Sequence, residues 1–270
     1  MSNCLVASVV LSIAVLAPSA ASAQIWNNAG LSNEEFKTQG PGGPAPRRDL
    51  TGVWDAGGAG IGGSGQAAQR EAARAPFTPL GEELAKVNRP GNGPRSAPVA
   101  QINDPLSTMG DPTGFPRLLT FELRPVQIVQ TPNQVLMLYM FEKRWRVIWT
   151  DGRQLPSGPD PRWYGYSVGR WEDDATFVVE TVGLDDRTWL DNSGNPHSTD
   201  LRVEERYSRV NQNTLELSVT IDDPKVYAKP FLARNKLALK RMSSDVDLME
   251  MIPSASEAVA YMKVISSQTK

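Results

Sequence analysis

The chain has 270 residues, with 28 basic against 30 acidic side chains and a formal net charge of −2. A balance this close to neutral provides no large electric field for nucleic acid or an anionic membrane, so neither is expected as a partner. The length suits one large all-β domain, or one domain with a long extension.

The start of the chain predicts export. Residues 5–16 form an apolar stretch of the length of a signal-peptide core, and residues 21–23 fit the small-residue cleavage rule. No Lys or Arg precedes the stretch, which departs from the usual pattern. The stretch is too short to span a membrane. We therefore predict a signal peptide over residues 1–23, no membrane span in the mature chain, and a periplasmic or secreted location.

The sequence argues against thiol and metal chemistry. The single cysteine, Cys4, lies inside the predicted signal peptide, so the mature chain carries no thiol. One histidine leaves carboxylates to supply every other zinc ligand, and the acidic pairs lack the spacing of a calcium loop. We expect no metal and no cofactor.

Residues 24–48 read as a flexible leader because proline and glycine interrupt them. We predict a single β-barrel domain over residues 49–270, in which an irregular insertion at 57–116 follows the first strand. The glycine-rich run at residues 60–65 lacks the Lys-Ser/Thr of a phosphate-binding loop, and predicts a flexible loop.

The insertion has the composition of two short helices and a covering segment. Residues 66–75 and 79–87 are rich in helix formers, and Thr78 is placed to cap the second helix. Residues 88–116 are rich in Pro, Gly and Asp, and are expected to form a linker or an ordered strap across the barrel.

Residues 124–222 settle the fold class. Apolar runs rich in Val, Ile, Leu, Tyr and Trp are separated by four short polar breaks, at residues 131–134, 141–144, 172–175 and 211–213. Strands linked this tightly pair antiparallel, and a long open edge would recruit other chains. We predict an all-β antiparallel meander that closes into a barrel, with the short helices and the strap outside it.

The alternation of residues 201–207 places one carboxylate inside this barrel. Leu201, Val203, Glu205 and Tyr207 share a face. A carboxylate among apolar neighbours requires a raised pKa or a basic partner, which makes Glu205 a candidate catalytic residue. The alternative is a structural ion pair, for which the neighbouring strands offer Arg144, Arg146, Arg153 and Arg170.

His197, the only histidine, lies in a loop between two strands, and Asp191 lies in the same loop. A histidine paired with Asp191 is a candidate general acid or base near neutral pH. The alternative is a loop histidine that bonds to local backbone.

Candidate ligand-binding residues surround the predicted barrel mouth. Aromatic side chains supply contact area for flat ligands, and an arginine can hold a ligand carboxylate. The candidates are Arg153, Trp163, Tyr166, Trp171, Trp189 and Tyr207. The alternative for the aromatic residues is packing in the core.

Two resemblances support the barrel. Gly52, Val53 and Trp54 resemble the Gly-x-Trp signature of lipocalins and other calycin barrels, in which the tryptophan closes the barrel base against a basic side chain. Arg234 or Arg241 would be that partner. The resemblance implies a lipocalin-like barrel.

Residues 49–231 are similar to a family of secreted bacterial proteins of unknown function. The matching motifs are TGVW (51–54), IVQTP (128–132), TDGR (150–153), VGRW (168–171), WLD (189–191), PHS (196–198), ER (205–206) and IDDP (221–224). This resemblance implies the fold and export, and it implies no chemistry.

Residues 245–251 and 254–266 have helical composition, which predicts a C-terminal helical segment packed outside the barrel or used as a dimer contact. The sequence does not indicate the oligomeric state.

Two functions fit the sequence, and a third would need a solid interior. The first is an exported barrel that binds a small apolar or aromatic ligand in its interior. The second is a cofactor-independent lyase, hydratase or isomerase that uses His197 with Asp191, or Glu205, for proton transfer. The third is an envelope-assembly protein without a small ligand.

Overall fold

A computed structural model describes residues 38–60, 75–121, 123–252 and 254–268. The predicted signal peptide, most of the leader and glycine-rich run, and all but the last residue of the predicted helix at 66–75 lie outside the described residues. The described part has nine strands: β1 (Gly52–Asp55), β2 (Val126–Gln130), β3 (Gln134–Tyr139), β4 (Trp145–Trp149), β5 (Tyr166–Trp171), β6 (Thr176–Val182), β7 (Arg202–Asn211), β8 (Thr214–Asp222) and β9 (Phe231–Arg241).

The nine strands form a closed barrel in chain order, in which β1 pairs with β9. The predicted all-β barrel is confirmed. One neighbour pair differs from a pure meander: β4 and β5 run parallel, with Ile148 opposite Ser167 and Trp149 opposite Val168. A parallel pair requires a connection that travels back along the sheet, and residues 150–165 provide it.

Four hairpin turns lie at the predicted polar breaks, between β2 and β3, β3 and β4, β5 and β6, and β7 and β8. In the β3–β4 turn, Glu142 and Lys143 have φ angles of 59° and 48°. Consecutive positive φ values give the turn a twist that matches the flanking strands, but residues with a Cβ adopt them at a cost. The turn is therefore held by contacts elsewhere in the fold.

The alternation read from the sequence sets the core. Val203, Glu205 and Tyr207 of β7 are buried together, and Leu215, Leu217, Val219 and Ile221 of β8 are buried beside them. The strand register aligns Glu205 with Val219 on one side and with Val179 on the other. The inner face of these strands is therefore apolar apart from a few polar side chains.

Besides the strands, the described residues contain four α-helices, α1 (Pro79–Val87), α2 (Pro105–Met109), α3 (Arg117–Thr120) and α4 (Ala255–Gln268), and two 3-10 helices, Gly57–Ala59 and Val99–Gln101. The hydroxyl of Thr78 accepts from the Gly81 amide, as its predicted capping role requires. Asp104 caps α2 in the same way.

The segment at residues 245–251 is not helical, contrary to its composition. Leu248 packs with Val53, Met140 and Met242 in a small satellite core, and its carbonyl accepts from Lys143. These contacts on the barrel wall outweigh the local preference for helix.

The end of the strap enters the barrel core. Residues 113–121, here called the plug, include α3, and Phe115, Leu118 and Leu119 are fully buried in the same cluster as the inward residues of the strands. The sequence predicts that the strap at residues 88–116 lies outside the barrel. Its apolar end is instead covered by the barrel, which removes that surface from water.

Candidate functional site

A polar cluster lies inside the barrel, built by consecutive strands. The guanidinium of Arg146 on β4 donates to both carboxylate oxygens of Glu205 on β7, at 3.0 Å for Nη1 to Oε2 and by a second, shorter bond from Nη2 to Oε1. It also donates to Ser167 on β5, at 3.1 Å, and to Thr181 on β6, at 3.2 Å. Arg146 and Glu205 are 3% and 0% exposed. The pair is therefore buried, and its hydrogen bonds connect the four consecutive strands β4 to β7.

Two tyrosines complete this interior cluster. The hydroxyl of Tyr207 donates to Glu205 Oε2 at 2.8 Å, and the Tyr139 hydroxyl lies 3.4 Å from Arg146 Nη1. Both hydroxyls lie near the Met137 sulfur, at 3.3 Å from Tyr139 and 3.5 Å from Tyr207. The interior cluster is Met137, Tyr139, Arg146, Ser167, Thr181, Glu205 and Tyr207.

The plug supplies an aromatic ring to this cluster. The centroid of the Phe115 ring is 4.1 Å from the guanidinium carbon of Arg146, which is a cation–π contact in a dry environment. One side of the guanidinium is therefore covered by an aromatic group that comes from outside the barrel sheet.

Burial and charge act in opposite directions on these groups. Burial disfavours the charged form of Arg146, but its interactions with Glu205, Tyr139 and Tyr207 together outweigh burial and raise the pKa of the guanidinium. Burial raises the pKa of Tyr139 to about 12, and raises the pKa of Tyr207 well above its usual value. Both tyrosines are therefore neutral hydrogen-bond donors across the physiological range.

His197 and Asp191 lie in different hydrogen-bond networks. His197 Nε2 is 2.9 Å from the Thr188 hydroxyl, and Nδ1 is 3.1 Å from the Ser198 carbonyl. Asp191 accepts from the Ser193 and Asn195 amides and from the Asn195 side chain. Both side chains organise the loop that follows β6, and these bonds do not involve Glu205.

Because a carbonyl only accepts, His197 Nδ1 carries a proton toward Ser198. Burial lowers the pKa of His197, against the pull of the Ser198 carbonyl and of the nearby Asp223, Asp186 and Asp185 carboxylates. Burial raises the pKa of Asp191, against the three hydrogen bonds that favour its charged form.

Several predicted ligand-binding residues are instead stacked with arginines. Trp163 lies under Arg187, at 4.3 Å, and Tyr166 lies under Arg162, at 4.0 Å. Arg153 itself covers Trp149, at 3.4 Å, and bonds to Asp151. These pairs are arranged on loops and strand ends rather than around the interior cluster.

The two remaining predicted tryptophans pack elsewhere. Trp189 is buried beside Arg117 of the plug, 5.4 Å from ring to guanidinium, and Trp171 packs on Phe177 with ring centroids 5.2 Å apart. Of the predicted site residues, the structure brings only Glu205 and Tyr207 together in the interior cluster.

Trp54 is buried, as the lipocalin-type signature implies, but a different arginine stacks on it. The guanidinium of Arg209 lies 4.6 Å from the Trp54 ring. Arg241 is opposite Trp54 in the β1–β9 register, and Arg234 bonds to the plug carbonyls of Leu119 and Thr120.

The sequence alone indicates no role for Phe115, Tyr139 and Glu142. Period-two reading of β3 places Tyr139 with Val135 and Met137 on one face, which was the available signal. Phe115 lies in an irregular stretch without periodicity, and the turn position of Glu142 has no motif. Only the folded arrangement identifies these two.

In the described residues, no three side chains of His, Cys, Asp or Glu are grouped to hold a metal ion. None of the helices in the described ranges combines the length and the apolar composition that a membrane span requires. Comparison of the chain with known protein families, curated proteins and solved structures finds no match.

Proposed function

We propose that this chain is an exported barrel that binds a small apolar or aromatic ligand in its interior, on the guanidinium of Arg146. The observation that carries the proposal is the Phe115 ring, which the plug places 4.1 Å from that guanidinium. A ligand ring that took this position would keep the same cation–π contact. Phe115 would then occupy the position that the ligand ring takes when the ligand binds.

The composition of the interior supports a binding site. Ligand sites are mostly apolar, with a small number of convergent polar groups that fix orientation. Here Val179, Val203 and Val219 supply apolar wall, and the tyrosine hydroxyls of Tyr139 and Tyr207 supply donors. Such a site would favour a flat ligand with one polar edge.

The buried ion pair also favours a role beyond stability. Replacing a buried pair by apolar side chains is often neutral or stabilising, because taking two charges out of water is costly. Arg146 and Glu205 are nevertheless built into the centre of the barrel, with every guanidinium nitrogen bonded. We infer that the barrel keeps an oriented cationic face for its ligand.

Proton-transfer catalysis has less support. Both oxygens of Glu205 are already bonded to Arg146 or Tyr207, so accepting a substrate proton would break a charge-assisted bond. His197 and Asp191 belong to separate networks, which removes the expected acid–base pair. Export rests on the sequence alone, through residues 1–23.

The test is a binding screen on the protein purified after expression of the full chain. A set of planar aromatic compounds would be scored by native mass spectrometry and by quenching of tryptophan fluorescence. We expect binding to strengthen in Phe115→Ala, which uncovers the guanidinium, and to weaken in Arg146→Met. Trp145→Ala is the matched control, since this aromatic side chain is 68% exposed on β4. If neither the natural protein nor Phe115→Ala binds any compound, the proposal is wrong.

A further inference from the structure

We propose that Glu142 is the latch of a gate over the interior cluster, which holds Phe115 on Arg146 until a ligand displaces it. The inference rests on the proposed function, because it assigns the means by which that site is opened. It concerns residues 111–115, the part of the strap that leads into the cation–π contact.

The Glu142 carboxylate accepts hydrogen bonds from the two chain segments that hold Phe115. Its Oε1 accepts from the amide and the hydroxyl of Thr113, at 2.6 and 2.9 Å, and its Oε2 accepts from the Tyr164 hydroxyl at 2.6 Å. Thr113 lies two residues before Phe115. Tyr164 follows Trp163, whose carbonyl accepts from the Phe115 amide at 2.9 Å. One carboxylate therefore ties together the two chain segments that carry the Phe115 ring.

The latch is a buried charge on an unusual backbone. The Glu142 side chain is 2% exposed, and Arg144 is the nearest cation, at 3.6 Å from Oε2. The φ angle of Glu142 is 59°, in the left-handed region that residues with a Cβ seldom adopt. Backbone conformations of this kind persist where surrounding contacts fix them, and they are concentrated at clamps and switch regions. The bonds to Thr113 and Tyr164 are such contacts.

Glycines lie on both sides of Thr113. Gly110 and Gly114 have φ angles of 71° and 73°, which a residue with a Cβ would adopt only under strain. A Cβ on Gly114 would also come within 2.2 Å of a Thr188 side-chain carbon. Segments that open and close place their change of φ and ψ at a few such positions.

The rest of the plug is fixed independently of Glu142. Arg117 is paired with Asp104 through two bonds, at 2.8 and 2.6 Å. Arg234 donates to the carbonyls of Leu119 and Thr120. Release of Glu142 would therefore leave residues 111–115 held by two backbone bonds, from the Asp111 amide to Pro105 and from the Phe115 amide to Trp163, while α3 stays in place.

The experiment measures opening and ligand entry separately on the full-chain protein. Amide hydrogen exchange of Phe115, followed by NMR, reports opening, because that amide is bonded to Trp163 and makes no bond to Glu142 itself. Stopped-flow binding of the fluorescent aromatic probe 1-anilinonaphthalene-8-sulfonate reports entry. The variants are Glu142→Gln and, as a second route to the same release, Thr113→Val. Glu172→Gln is the control, since this exposed carboxylate is paired with Arg206 away from the plug.

We expect Glu142→Gln to speed Phe115 exchange and probe association about tenfold, the loss of one charge-assisted hydrogen bond. Thr113→Val should give a smaller change in the same direction, and amides of β7 should exchange as before. Unchanged Phe115 exchange in both variants would overturn the latch, whatever the probe does. Faster exchange with no probe binding to any variant would overturn the gate together with the binding function.

Discussion

Breaking the Arg146–Glu205 pair should destabilise the barrel strongly. Glu205→Gln preserves the shape of the side chain but removes its charge, and leaves the Arg146 cation, 3% exposed, with only neutral partners. Removing one partner of a buried pair costs about 3–5 kcal/mol of unfolding free energy. For a domain of this size 1 kcal/mol shifts Tm by about 2–4 °C, so we expect Tm to fall by roughly 6–20 °C.

The assay is denaturant unfolding followed by tryptophan fluorescence, with Glu180→Gln as the control. Glu180 is also paired with an arginine on a neighbouring strand, Arg170, but that pair is exposed to water, so little change is expected. The double variant Arg146→Met/Glu205→Leu should recover much of the loss, with a coupling free energy of about 2–3 kcal/mol. A Glu205→Gln protein within about 1 kcal/mol of the natural one would refute this account of the interior.

Three further predictions test the surroundings of the barrel interior. Because burial lowers the pKa of His197, the folded state binds its proton less readily than the unfolded state, so unfolding free energy should fall as pH drops below about 6.5. Denaturant titrations at several pH values should lose this slope in His197→Ala. Asp104→Asn leaves the cation of Arg117, 2% exposed, without its partner and should cost about 3–5 kcal/mol in the same assay. Arg209→Ala removes the cation over Trp54 and should cost about 0.5–2 kcal/mol, with a shift in tryptophan emission; an unshifted spectrum would contradict that contact.

The barrel was predictable because its strands alternate cleanly. Glu205 lies inside, as its position between Val203 and Tyr207 predicts, and its partner Arg146 is one of the four arginines that the sequence offers. The orientation of strand β4 does not follow from such an alternation. The sequence does not mark either face of β4 as core, because both faces carry apolar or aromatic side chains, and it is the face of Arg146 that points inward.

Tertiary contacts explain why Arg146 points inward. The guanidinium of Arg153 covers the Trp149 ring, and Trp145 is 68% exposed. The apolar pattern of β4 therefore does not determine which face of the strand points inward. Arg146 turns inward because the charge of Glu205 and the hydroxyls of Ser167 and Thr181 are there to receive it. No local pattern encodes a partner that lies 59 residues away.

The parallel pair β4–β5 is a consequence of the odd number of strands in the barrel. Around a closed ring, strand directions alternate everywhere only if the number of strands is even, and this ring has nine. At least one pair of neighbours must therefore run the same way. Shortening residues 150–165 to a tight hairpin turn would leave that requirement in place, and the like-directed pair would move to the junction of β1 and β9. The odd number of strands therefore requires one parallel pair in the barrel. The long connection at residues 150–165 determines that this pair is β4 and β5.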